Sequence, residues 1–149
     1  MATIFQNAEV ALFFNQMTLG IMDKFEFTEE TAGDWLVEYE GDPERHLVHL
    51  IDALIGFMSN PTQKVDVDSI SKFIPHVQQL LEKDGCTIDL PHIMEIYRML
   101  QDDCPNEIAA WKKIQVKANK NGVDSIDEEF IDELWATIPD NNGQQYHFE

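Results

Sequence analysis

Positive charge is scarce in this chain: ten Lys and Arg stand against 28 Asp and Glu, a formal charge of −18. Such a deficit repels phosphate and anionic lipid, which argues against direct nucleic-acid binding and against a membrane surface. Cysteine is scarcer still. Cys86 and Cys104 lie 18 residues apart with no CxxC and no second pair. They read as two reduced core thiols of a cytoplasmic protein rather than a disulfide framework. No membrane span or signal peptide is expected at the N-terminus either. Its stretch MATIFQNAEVALFFNQMTLG lacks a basic leader, and Glu9, Asn15 and Gln16 interrupt the apolar run.

Signatures of nucleophilic catalysis are missing as well, with no G-x-S-x-G and no phosphate-cradling glycine loop. Ser59, Ser69, Ser71 and Ser125 fall at predicted helix ends, where capping accounts for them. Cys86 or Cys104 could meet His92, but free Cys is most often buried packing. With 28 acids, general acid–base chemistry singles out no residue. No catalytic residue and no cofactor is expected.

What the chain does have is apolar residues at helical spacing. Its 149 residues, 44 % hydrophobic and 10 % aromatic, suffice for one domain with a real core. The segment from Thr3 to Phe25 carries Ile4, Ala8, Ala11, Leu12, Leu19 and Met22, widened by Phe5, Phe13, Phe14 and Met17. A helix apolar on most sides sits centrally in a bundle or lends a face to a partner. A second helix is predicted from a Thr28 cap through Trp35, Leu36 and Tyr39, with Gly41 past its end. Asp42 as N-cap and Pro43 as first helical residue open a third, striped by Leu47, Leu50, Ile51, Leu54 and Met58 and stopped at Asn60-Pro61.

A fourth helix carries Phe73, Val77, Leu80 and Leu81, with Pro75 requiring a late start or a kink. Asp89 and Pro91 open a fifth, Pro105 a sixth, and a seventh runs from Ile126 to Ile138. No segment alternates with period two. The expected fold is therefore all-α, a single compact bundle of six or seven short helices over residues 1–138. A flexible tail, PDNNGQQYHFE, is expected over 139–149.

Two stretches imitate known signatures. KANKNGVDSIDEEF (117–130) suggests half of an EF-hand, whose loop needs oxygen ligands at positions 1, 3, 5 and 12 and Gly at 6. Setting Gly122 at position 6 puts Lys117 where the first carboxylate belongs and Asp124 at the usual Ile position. Ser125 and Glu128 instead form an S-x-x-E capping box, with Gly122 as a left-handed C-cap. The echo between VDSISKF and VDSIDEEF, 56 residues apart, reads as shared capping chemistry too. The pairs His49/Asp52 and His92/Glu95 share helix faces at i, i+3. They reverse the Glu-x-x-His order of di-metal bundles, so no metal site is assigned to them.

Charge distribution says more than any motif. Residues 23–44 hold nine acids and one Lys, and residues 124–149 hold eight acids and no Lys or Arg. Between them Lys112, Lys113, Lys117 and Lys120 occupy a stretch without acids. Glu30, Asp34 and Glu38 would form one helical row of carboxylates about 6 Å apart. Glu128/Asp132 and Glu129/Glu133 would form two shorter rows. Such rows either keep the protein soluble or face a basic partner protein, in the stronger form by imitating nucleic-acid phosphates. The expected function is a non-enzymatic interaction module, an inhibitor or immunity-like factor that masks its partner through these residues. The alternatives are an adaptor or chaperone-like subunit docking or self-associating through the apolar first helix, and a metal protein or enzyme.

Overall fold

The computed structural model describes residues 4–62 and 64–138. Six α-helices follow one another: α1 (Ala8–Lys24), α2 (Pro43–Met58), α3 (Val67–Lys83), α4 (Leu90–Asp103), α5 (Pro105–Asn121) and α6 (Glu128–Thr137). Short 3-10 turns lie at Ile4–Gln6, Ala32–Trp35 and Val123–Ser125. Two strands of two residues each, β1 (Glu38–Tyr39) and β2 (Cys86–Thr87), pair antiparallel, Glu38 opposite Thr87 and Tyr39 opposite Cys86. The helical bundle expected from the sequence is present, with this small sheet added. The tail expected at 139–149 lies outside the described residues.

The helix starts follow local chemistry. Asp42 accepts from Glu44 N at 3.0 Å and Pro43 needs no donor there, so α2 begins as expected. Asp66 and Ser69 make a reciprocal capping box at α3, Asp66 accepting from Ser69 N and Ser69 Oγ from Asp66 N. The helix therefore does not start late: it runs through Pro75, which is exposed, so the carbonyl its ring leaves unbonded faces the solvent side. At α6 the cap is Asp127, accepting from Phe130 N at 2.9 Å, and not Ser125. The Ser125 hydroxyl is occupied with the Gly122 carbonyl in the preceding turn. Gly122 does follow α5, but at φ 93°, ψ 157°, an extended glycine-only region rather than the left-handed helical one.

The largest correction falls on residues 28–41. The Thr28 and Thr31 side chains bond to each other's segment, holding a tight turn: Thr31 Oγ1 accepts from Thr28 N at 2.8 Å and donates to the Glu26 carbonyl. One 3-10 turn follows, and the chain then extends into β1. Val37 N donates to Thr87 O and Glu40 N to Gly85 O, so these backbone groups are satisfied across the chain and not along a helix. Trp35, Leu36 and Tyr39 match helical spacing, yet Val and Tyr also favour an extended chain once a partner strand exists.

α1 packs against α2, α5 and α6, and α2 against α1, α3, α4 and α5. Phe13, Met17 and Ile21 of α1 meet Leu47, Leu50, Ile51 and Leu54 of α2, Ile93, Ile96 and Leu100 of α4 and Ile114 of α5 in one core, each closed to solvent. Each such side chain contributes about 1.5–3 kcal/mol by leaving water. Asn7 ties this helix to the far end of the chain. Its Oδ1 caps α1 while its Nδ2 donates to the carbonyls of Val123 and Ile126, at 3.0 and 2.8 Å. That pair of bonds fixes the turn from which α6 departs. Among the described residues no helix is long and apolar enough to cross a membrane.

Candidate functional site

The acidic face of α6 is built by the core on its other side. Ile131, Leu134, Trp135 and Ile138 are buried, Trp135 packing on Phe13 with ring centroids 4.6 Å apart. That seating turns Glu128, Glu129, Asp132 and Glu133 outward, all four exposed. The two expected pairs, Glu128/Asp132 and Glu129/Glu133, therefore exist as neighbours one turn apart. Among the described residues none of them approaches a cationic side chain within 4.0 Å. A helix held on one face by large apolar side chains fixes the backbone positions from which such carboxylates project.

Glu30, Asp34 and Glu38 are exposed too, but they do not form a row. Glu30 lies in the turn held by Thr28, its N–H donating to Thr28 Oγ1 at 3.2 Å. Asp34 lies in the 3-10 turn, and Glu38 lies on β1. The spacing of one helical turn that would link them is absent. Besides the strand bonds, aromatic packing helps hold this acidic segment to the bundle: Trp35 packs edge-on to Phe27 at 5.2 Å and tilts over His92 at 5.6 Å.

The histidine–acid pairs separate in the folded chain. His92 Nδ1 donates to the Trp35 carbonyl at 2.9 Å, while Glu95 is exposed. His49 Nδ1 lies 3.7 Å from Asp84, at the end of α3. Asp52 instead accepts from the Thr18 hydroxyl of α1 at 2.8 Å. Burial raises its carboxyl from 3.8 to about 6, opposed by that hydrogen bond, which favours the charged form. No group of three or more His, Cys, Asp or Glu among the described residues is placed to hold a metal ion. Asn119 and Asn121, which fall at EF-hand loop positions 3 and 5 when Gly122 is set at 6, lie within the last turns of α5.

Both cysteines are buried and unbridged. Burial pushes the Cys104 thiol well up, and the neighbouring Glu107 carboxylate adds to the effect. Burial, then Asp84, raises Cys86 likewise. Neither thiol is in the electropositive, accessible setting that makes a nucleophile. Glu107 is itself buried on α5, and Lys24 at the end of α1 reaches it at 3.5 Å. The apolar surface of α1 goes mainly into the core, leaving Leu12 (53 %) and Leu19 (50 %) exposed, seven residues apart.

Read from the sequence, the four lysines of α5 only balance the acids; the fold gives them company. Lys117 Nζ sits 4.9 Å from the centroid of the Phe130 ring, across the α5–α6 boundary. The acid-free stretch 108–123 is the visible signal, whereas Phe130 joins it only through helix packing. Comparison of the chain with protein-family models, with curated proteins and with solved structures finds no match in any of the three.

Proposed function

We propose that the protein is a non-enzymatic interaction module that binds a basic surface of a partner protein through acidic faces and so masks it, as an inhibitor or immunity-like factor does. The observation that carries this reading is the α6 face: four exposed carboxylates on a helix anchored by Ile131, Leu134 and Trp135, with no cationic side chain of the described residues within 4.0 Å of them. The folded helix spares the backbone ordering cost when a partner's lysines and arginines arrive, only the exposed side chains losing rotamer freedom, and the excess negative charge speeds encounter with a basic surface. Glu30, Asp34 and Glu38 contribute to the molecule's negative field as separate exposed charges of the acidic segment before α2. A partner whose basic surface normally grips nucleic-acid phosphates would be met by the same chemistry.

The test must separate binding from folding. Glu128 and Glu129 lie in the first turn of α6, where they favour the positive end of the helix, and reversing them weakens the helix itself. Asp132 and Glu133 lie one turn further on and are free of that complication. Tagged protein and the Asp132→Lys/Glu133→Lys variant are used to capture partners from source-cell lysate at low and at high salt. The expected result is a basic partner captured at low salt, released at high salt and lost from the variant. A partner held equally by the variant and by high salt overturns the acidic-face reading. It would favour docking through Leu12 and Leu19 of α1, the second reading, for which those exposed leucines speak.

A further inference from the structure

The surface most at odds with this acidic molecule is the outward side of α5. Four of the ten Lys and Arg residues of the chain, Lys112, Lys113, Lys117 and Lys120, are gathered there. Val116 lies four residues from Lys112 and from Lys120, and three from Lys113, so helical geometry rings it with amino groups. It is 46 % exposed. Ala109 on the same helix and Phe130 from α6 extend this apolar floor, giving an open groove of ≈ 590 Å³.

A face that serves solubility alone needs charge and no floor. Here the lysines frame exposed apolar surface, and Lys117 is drawn over the Phe130 ring. Lys113 and Lys117, one turn apart, repel each other by a few tenths of a kcal/mol. In a chain with 28 acids, no described carboxylate comes within 4.0 Å of any of the four. The groove thus lacks two things together, anions for its rim and apolar atoms for its floor.

We propose that this groove binds an acidic amphipathic segment of a partner protein. Carboxylates of the segment pair with the lysines, while one or two large apolar side chains settle on Val116 and Phe130. This interaction is separate from the acidic-face reading and stands without it. A nucleic-acid strand fits less well. It supplies phosphates at every step but no aliphatic side chain to cover Ala109 and Val116 on the floor. A second copy of this chain fits poorly as well. Its α6 offers acids with the large apolar side chains buried, and two chains of −18 repel.

The probe is a fluorescently labelled peptide of about fourteen residues, Asp and Glu with two Leu and one Trp at helical spacing, read by anisotropy near physiological salt. It is expected to bind. Lys113→Glu/Lys120→Glu and, separately, Val116→Ser are each expected to weaken it by about tenfold or more. Because all three positions are exposed, circular dichroism should show both variants folded. Replacing the Leu and Trp of the peptide by Ser should also abolish binding. Three results overturn the proposal: a peptide that does not bind, one that binds wild type and both variants alike, or an oligothymidylate of the same charge that binds more tightly than the peptide.

Discussion

At the scale of single residues, Asp52 converts burial into a pH response. Its carboxyl titrates near 6 in the folded chain and near 3.8 when exposed, so the folded state holds the proton more firmly. Its stabilising contribution is therefore complete below about pH 4, shrinks as pH rises and is gone above about pH 6. Asp52→Asn keeps an acceptor for the Thr18 hydroxyl and removes the titration. The variant should be the more stable protein at neutral pH by up to about 3 kcal/mol, the advantage vanishing near pH 4, as urea midpoints at the two pH values would show. Equal differences at both would mean that Asp52 does not titrate across this range. Helical spacing points to His49 as the neighbour of Asp52. The actual partner comes from α1, 34 residues away, which no such spacing reveals.

Among elements, the two glycines of the α2–α3 region should answer the same substitution with opposite signs. Gly85 follows α3 with φ +85°, and a Cβ there would meet Glu40 Oε2 at 2.8 Å, beside the bond that joins Glu40 N to Gly85 O. Gly85→Ala should destabilise the protein by about 1–2 kcal/mol. Gly56, inside α2, has nothing within 4 Å of where a methyl group would sit, and should gain about 1 kcal/mol as alanine. Urea unfolding of the pair would check both, and a shared sign would contradict the backbone account. This contrast also marks where the sequence is readable. The Asp42 cap of α2 and the apolar stripes of α2, α3, α4 and α5 are local, written within a few residues of where they act, and they are legible. The Asp66 cap of α3 goes unread, and Asp89 before α4 makes no side-chain cap bond. The acidic segment before α2 is not, because β1 exists only through β2, which lies beyond two whole helices. The α6 carboxylates are legible as a face because the stripe of Ile131, Leu134 and Trp135 assigns the opposite side to the core. The α5 groove is half legible, its lysines visible and its Phe130 wall not.

For the whole molecule, the charge of −18 sets the response to salt. Among described residues the ion pairs are few, Lys24–Glu107 and the histidine contact with Asp84, so repulsion is not offset by a surface network. Added sodium chloride should raise Tm by a few degrees between low and moderate ionic strength, followed by circular dichroism, as screening relieves the self-repulsion. A falling Tm would show attractive pairs outweighing it. The antiparallel bridge between Glu38–Tyr39 and Cys86–Thr87 has a kinetic meaning at this scale. It closes a loop containing all of α2 and α3, so ordering that loop precedes the reward of the strand bonds. The bridge consequently forms late and opens early. In native-state hydrogen exchange, the amides of Val37 and Glu40 should exchange as one unit ahead of the helical core. Each opening would free residues 37–40 of the acidic segment while Trp35 and the bundle beneath it stay packed.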